Sequence, residues 1–194
     1  MRPDANAAWQ LDPAPTRARL WLAALAVVLP LVIAGTALGV SVASGEERDL
    51  VADSLALTIA GTLAAIVLIG GGVALVVARA MRRHHVVLDT DGIEVATTFY
   101  TRRLAWGELR LDEARVVDLD EHTQLKPLWK TNGAALPGFR SGWFRLRNRE
   151  KALVAMIGGP RVTWVPTTRG FGLMLQPRQP QALLDQLRRL APRR

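Results

Sequence analysis

Five cationic side chains lie close together in one stretch of this chain and form its densest set of potential anion ligands. They belong to Arg140, Arg145, Arg147, Arg149 and Lys151. Guanidinium and ammonium groups bind phosphate and carboxylate through charge-assisted hydrogen bonds. Residues 143–147 alternate in polarity, which predicts a β-strand with Arg145 and Arg147 on one face. The stretch therefore predicts either a contact site for an anion or a protein partner, or a solvated outer strand face.

Trp129 is the tryptophan that the sequence most favours as exposed. It lies beside Lys130, close to Lys126, in a segment that contains Pro127. An exposed indole can enter a membrane interface or contact a protein partner. The other tryptophans of this region are expected to pack in a core. The candidate contact residues are thus Arg140, Arg145, Arg147, Lys151 and Trp129.

The sequence indicates no catalytic, metal or cofactor site. The chain has no cysteine, which excludes a thiol nucleophile, an iron–sulfur site and a cysteine-ligated zinc. Ser141 has no histidine near it in sequence, and the adjacent His84 and His85 point apart, which is poor geometry for a metal. We therefore expect a protein that is not an enzyme and that binds no cofactor and no metal.

Two long apolar runs precede the basic region. The runs Leu20–Ser44 and Ser54–Ala78 carry no charged residue, and each exceeds the roughly 20 residues that cross a bilayer core. They predict transmembrane helices at residues 20–44 and 54–78. Because neither run holds an ionisable residue, a transporter or pump is disfavoured. A cleavable signal peptide is the alternative for the first run, since Ser41 and Ala43 have the required spacing, but the run is long for one.

Small residues and a proline give these two runs distinct features. Pro30 is expected to kink the first helix. Gly35 and Gly39 have the spacing that permits close helix approach, either to the second helix or to another protomer, although glycine is also common in such helices. The triplet at residues 70–72 predicts a bend or a backbone contact point in the second helix.

Charge sets the expected orientation. Arginines flank the outer ends of the two runs, at positions 17, 19, 79, 82 and 83, whereas the connection between the runs is acidic. The positive-inside bias then places both termini in the cytoplasm. The expected order is a cytoplasmic N-terminal tail (1–19), a first helix (20–44), an external loop (45–53), a second helix (54–78), a basic linker (79–85) and a cytoplasmic domain (86–194).

The segment after residue 85 has the pattern of an α+β domain. About seven short apolar or alternating stretches are separated by turn residues, beginning with a hairpin at Asp91-Gly92. Residues 112–139 are interpreted as an extended loop. A closing amphipathic helix is predicted from Pro180, with leucines at helical spacing at positions 183, 184, 187 and 190.

Several segments resemble the bacterial PH-like (pleckstrin-homology-like) domains found behind transmembrane helices. They are Gly142-Trp143-Phe144, the strand that contains Leu153-Val154, and the Pro166-Thr167 pair that ends a strand before the closing helix. The resemblance covers roughly residues 86–190. It implies a barrel of about seven strands capped by a C-terminal α-helix, in a protein of the bacterial cytoplasmic (inner) membrane, and it assigns no obligatory functional residue.

The sequence therefore predicts a membrane-anchored PH-like interaction or scaffolding module that binds a protein partner at the cytoplasmic face. The alternative is a sensor of anionic lipid headgroups that acts through the basic hairpin at residues 140–151. Self-association through the transmembrane helices, or docking on a transporter as an accessory subunit, would use the Gly35–Gly39 face. The isoelectric point near 11.2 also fits nucleic-acid binding, but no recognition motif is present and none is expected.

Overall fold

The structure is a computed structural model, and it describes residues 9–44 and 54–192. These residues form two compact units. The helical unit is Arg19–Arg79, and the sheet unit combines Met1–Ala18 with Ala80–Arg194. The loop expected at residues 45–53 lies outside the described residues.

The helical unit contains two long apolar helices, as predicted. The first is continuous and has three parts: α1 (Thr16–Ala23), a π-helical turn (Ala24–Val28) and α2 (Leu29–Ser44). The second is α3 (Leu55–Ala80). Both are long and apolar enough to cross a membrane, with a mean hydropathy of 2.4 in each. The length and composition of the helices therefore agree with the prediction of two membrane spans.

The π-helical turn lies directly before Pro30. Proline has no N–H to donate to the carbonyl of Ala26, four residues earlier, and its ring crowds that oxygen. Within the turn the N–H of Leu29 reaches back five residues to Ala24, which widens the helix at this level. The expected irregularity at Pro30 is thus a local π-turn.

Gly70 brings α3 close to this same turn. A Cβ atom built on Gly70 would collide with the Ala26 carbonyl oxygen, whereas one on Gly71 or Gly72 would meet no atom of the described chain within 4 Å. Gly70 is therefore the backbone contact point predicted for the triplet. A Cβ on Gly35 or Gly39 would likewise meet no atom of the described chain within 4 Å, so neither glycine makes a close backbone contact with α3. Gly35 instead lines a cavity that residues of both α2 and α3 enclose.

The sheet unit confirms the α+β class but has nine strands instead of about seven. A three-stranded antiparallel sheet holds β1 (His85–Leu88), β2 (Gly92–Ala96) and β3 (Thr101–Ala105). A six-stranded sheet has the order β4-β8-β9-β7-β6-β5, in which β7 and β9 are parallel and the other pairs are antiparallel. Its strands are β4 (Arg115–Asp118), β5 (Pro127–Leu136), β6 (Phe139–Leu146), β7 (Lys151–Met156), β8 (Arg161–Pro166) and β9 (Gly172–Leu175).

The interpretation of residues 112–139 as an extended loop is wrong, because the ten-residue strand β5 lies within them. The short stretch Ala114–Leu119, whose pattern favours a strand, is confirmed as β4. The Asn132-Gly133 pair, a dipeptide that is typical of turns, lies inside β5. Gly133 pairs with Gly142 of β6, and both have positive φ, at 148° and 116°. A Cβ on either residue would run into the backbone of the facing strand. These glycines therefore permit two strands to approach closely instead of ending them.

The C-terminal helix α4 (Pro180–Leu190) begins where the sequence predicted. Leu183, Leu184 and Leu187 are buried in the main core, where they join apolar residues of both sheets. Leu190 has the same spacing but is 45% exposed. The helix therefore covers the core with three of its four predicted leucines.

Residues 9–18 also belong to the sheet unit. The carboxamide of Gln10 pairs with the backbone of Val86 on the edge strand β1: its Nε2 donates to the carbonyl oxygen at 2.7 Å, and its Oε1 accepts from the N–H at 3.1 Å. Leu11 is buried in the main core, and Asp12 forms an ion pair with Arg178 at 2.6 Å. The segment expected as a tail is thus packed on the sheet unit over its described part.

Candidate interaction surfaces

The basic stretch predicted at residues 140–151 is divided between two places by strand β6. Arg140 lies near the start of the strand, beside the β5–β6 turn, whereas Arg145 lies near its end. Arg140 and Arg145 are five residues apart in this extended strand, which is a distance of about 17 Å. The cations that are neighbours in sequence therefore do not form one site.

A cleft of about 610 Å³ lies beside the β6–β7 hairpin, and we call it the hairpin cleft. The predicted residues Arg145 and Lys151 line it, together with the aromatic side chains of Trp164 and Phe171. Its charged lining is completed by Arg110, Arg115, Arg149, Glu113 and Glu150. The cleft is cationic overall, with Arg110 paired to Glu113 at 3.4 Å.

Several of these cations also shape the hairpin itself. Arg145 donates from Nη1 to the carbonyl oxygen of Arg149 at 2.8 Å. Arg149 adopts a left-handed backbone with φ of 68°. The ammonium group of Lys151 lies 4.4 Å from the ring centroid of Trp143, within the range of a cation–π interaction. Arg147 is exposed and lies outside the lining of the cleft.

A second cleft, of about 490 Å³, lies at the other end of β6 beside the β5–β6 turn, and we call it the turn cleft. Its two charged lining residues are Arg17 and Arg140. The Arg17 guanidinium lies against Gly138 and Gly158, where any side chain would collide with it. Arg17 also donates to the carbonyl oxygen of Ile157 at 3.5 Å. Sequence reasoning missed the contribution of Arg17, because it lies more than a hundred residues away along the chain.

The structure also brings together His84 and Ser141, which sequence reasoning left apart. His84 Nε2 lies 2.7 Å from Ser141 Oγ. That oxygen accepts from the N–H and the hydroxyl of Thr98 at 2.9 and 2.8 Å. With both acceptor positions filled, the Ser141 hydroxyl hydrogen is directed to His84 Nε2. Because Nε2 then accepts, the ring hydrogen of the neutral imidazole lies on Nδ1 of His84, which has no hydrogen-bond partner among the described residues.

Burial holds this histidine neutral. Burial, and to a lesser extent charge repulsion from the neighbouring His85, lower the pKa of His84 to about 4. Ser141 is fully buried, and His84 is buried as well. A nucleophile must reach its substrate, and this hydroxyl cannot. The pair instead ties the chain that follows α3 to strand β6.

Strand β5 presents apolar side chains at the edge of the six-stranded sheet. Trp129, predicted to be exposed, is 56% exposed, and the adjacent Leu128 is 52% exposed. A register shift in the β5–β6 pairing between Pro127 and Trp129 places these two side chains at a bulge. Trp106, Trp143 and Trp164 are buried, as predicted. Leu128 and Trp129 therefore form an exposed apolar pair at the sheet edge, which the polar residues 130–132 follow.

Within the described residues, no group of three or more His, Asp or Glu side chains is placed to hold a metal ion. Comparison of the chain with protein-family models, curated proteins and solved structures gave no match. The function of these surfaces is therefore argued from their geometry and charge.

Proposed function

We propose that this chain is a membrane-anchored, non-enzymatic interaction module that binds a protein partner by strand addition at β5. The observation that carries the proposal is an edge strand of ten residues with two adjacent, exposed, large apolar side chains, Leu128 and Trp129. The partner is an extended segment with acidic and apolar side chains.

The edge position supplies the backbone part of this recognition. β5 pairs with β6 on one side and has no strand on its other side in the described sheet. The outward N–H and C=O groups of such a strand form a template for a further strand. Backbone pairing of this kind gives affinity, and side-chain contacts select the partner.

The side chains of this edge supply the selectivity. Trp129 and Leu128 offer an apolar anchor of the type that dominates protein interfaces. Lys130 follows directly, and Arg145 of β6 pairs with Trp129 across the ladder. A cationic border of this kind favours an acidic partner, mainly by accelerating and orienting the encounter.

Site-specific photocrosslinking in native membranes tests this proposal. A benzoyl-phenylalanine at position 129 should give a discrete crosslinked protein, whereas the same probe at Phe99, which is 50% exposed on the β2–β3 turn, should not. The double variant Leu128→Ser, Trp129→Ser should lose the purified complex, and Phe99→Ser should retain it. Equal crosslinking at positions 129 and 99 would contradict strand addition at β5.

The membrane anchoring and its orientation belong to the same proposal. Residues 9–18 and 80–192 form one compact unit, so the two ends of the apolar helix pair lead into a single body. If the pair spans a membrane, both ends lie on one side of it, and the flanking arginines make that side the cytoplasm. This supports two spans with cytoplasmic termini, and the proposal that the membrane is a bacterial inner membrane rests on the PH-like resemblance alone.

Cysteine labelling tests the orientation without interference from native thiols, because the chain has none. Single cysteines at Pro13 and Asn148 should both be protected from a membrane-impermeant maleimide in intact cells. A cysteine at Gly45, in the acidic connection, should react. Labelling at position 148 but not at 45 would contradict the orientation, and different results at 13 and 148 would contradict a common side.

The PH-like assignment remains a hypothesis about the fold family. The closing helix α4, packed on a core between two sheets, supports it. The nine strands and the parallel pair β7–β9 depart from the barrel of about seven strands that the resemblance implied. Self-association through the face of Gly35 and Gly39 is a further proposal, supported by the exposure of both residues in the described part of the chain.

Recognition of anionic lipid is the second candidate function. The sequence placed it on the whole hairpin at residues 140–151. Of the hairpin residues that the sequence predicted for lipid contact, Arg140 is the one that the structure favours, because Arg145 and Lys151 line a cleft at the opposite end of β6.

A further inference from the structure

We infer that the turn cleft binds the phosphate group of an anionic membrane lipid through Arg17 and Arg140. The inference adds a ligand site to the protein-partner function, and it rests on the membrane anchoring proposed above. Its four supports are the charge of the cleft, the shape of its floor, its position on the chain and its distance from the remaining cations.

The charge of the cleft is positive and uncompensated. Arg17 and Arg140 are its charged lining residues, and the rest of the lining is apolar or glycine. Neither arginine has an acidic partner within 4 Å among residues 9–44 and 54–192, where the ion pairs found join other side chains. Two guanidinium groups that share one open cavity attract an anion, and their planar N–H groups match the oxygens of a phosphate.

The floor of the cleft holds one of these guanidinium groups in place. Gly138 and Gly158 have φ of 74° and 100°, a conformation that favours glycine. The Arg17 side chain lies on the two glycines because they carry no Cβ. Among the residues that the structure describes, its five N–H donors make one hydrogen bond, to the carbonyl oxygen of Ile157. Arg17 therefore has donors left for a ligand and is already positioned to use them.

Arg17 lies next to the first apolar run, which places it near the phosphate groups of membrane lipids if that run spans the membrane. Arg17 lies in the first turn of α1, which continues without a break into the apolar run that begins at Leu20. Three residues of α-helix rise about 4.5 Å. A guanidinium this close to the start of a membrane span lies at headgroup depth, where basic pockets beside spanning helices bind lipid phosphates.

The cations of the hairpin cleft are too distant to share this role. Arg140 in the turn cleft and Arg145 in the hairpin cleft are five residues apart on β6, which is about 17 Å of extended chain. Charge interactions in water are largely screened beyond about 8 Å at physiological ionic strength. Arg147 and Arg149 at the hairpin tip are exposed, so their replacement gives a matched loss of two positive charges on the same sheet unit.

Native mass spectrometry of the full-length protein in a non-ionic detergent tests the inference. Dissociation constants are measured for phosphatidylglycerol and for phosphatidylcholine as the zwitterionic reference. A cation near an anionic surface contributes about 1 kcal/mol, which is about 5-fold in affinity. Arg17→Gln and Arg140→Gln should each weaken phosphatidylglycerol binding about 5-fold, and the pair about 30-fold, with phosphatidylcholine binding unchanged.

The control variant Arg147→Gln, Arg149→Gln should bind phosphatidylglycerol like the wild type. Unchanged binding in the Arg17, Arg140 pair would overturn the inference, and so would an equal loss in the control variant. Competition by inorganic phosphate at the same free concentration would assign the cleft to a soluble anion and overturn the lipid source. Photocrosslinking at Trp129 in the Arg17, Arg140 variant, expected to persist, separates this result from failure of the protein-partner proposal.

Discussion

Replacing Gln10 by alanine should open the edge of the three-stranded sheet at β1. Gln10 is buried, and its carboxamide satisfies both backbone groups of Val86. Each bond joins groups more than seventy residues apart in the chain. The alanine variant therefore removes one donor and one acceptor from a place that water does not readily reach.

The magnitude follows from these two bonds. A buried backbone group left without a partner costs about 1–3 kcal/mol. Taking the lower end for each of the two groups gives about 2 kcal/mol. If opening of the edge controls amide exchange, the Val86 N–H should then exchange about 30-fold faster. The side chains of Leu11 and Asp12 keep residues 9–18 attached to the sheet unit. The free energy of global unfolding should therefore change less than the free energy of local opening at β1.

Hydrogen exchange of the full-length protein in detergent measures this effect at residue resolution. Gln181→Ala is the matched control, because Gln181 is exposed on α4 and its carboxamide bonds to Asp185 on the same helix. The control should leave the Val86 amide unchanged. An unchanged Val86 exchange rate in Gln10→Ala would refute the reasoning, since it would mean that the N-terminal segment does not cap the sheet edge.

Three further substitutions test other parts of the structure. Gly70→Leu should force α3 away from the Ala26 carbonyl and lower the melting temperature in detergent, while Gly71→Leu, with no close neighbour among the described residues, should leave it unchanged. Leu11→Ala should destabilise the sheet unit by about 2–5 kcal/mol in denaturant melts, as expected for a buried leucine. The pKa of His84 is about 4 in the folded chain and 6.5 unperturbed. As the pH falls, His84 is therefore protonated in the unfolded state before it is protonated in the folded state. The free energy of unfolding should decrease as the pH drops from 6.5 to about 4. His84→Gln should remove that slope, and a slope that persists unchanged would assign it to other groups.

Local patterns were sufficient to predict the helices and several of the strands. The leucine spacing after Pro180 predicted α4 because it reports one face of a helix, and the strand expected to end at the Pro166-Thr167 pair is β8. The exposure of Trp129 followed from its cationic neighbours. These features depend on residues that are close in sequence, so the sequence contains the information directly.

The features that were missed depend on contacts between distant residues. β5 was missed because glycine usually interrupts a strand pattern. Gly133 instead permits close approach of β5 to β6, which follows only from its pairing with Gly142. The hydrogen bond between His84 and Ser141 joins residues 57 apart. The turn cleft needed Arg17, which the sequence offered only as a flanking charge of the first helix. No periodicity reports such pairings, because they are set by tertiary packing.

The docking of residues 9–18 on the sheet unit has a consequence for biosynthesis. Leu11 is synthesised before either apolar helix, whereas its neighbours in the core include Leu173 and Leu187, which are synthesised more than 150 residues later. Domains tend to fold from the N-terminus as they are made, but the segment at residues 9–18 has no complete binding site until β9 and α4 have been synthesised. The two apolar helices are therefore made while Trp9 and Leu11 still lack their core contacts, and the sheet unit completes its core only after α4 is released.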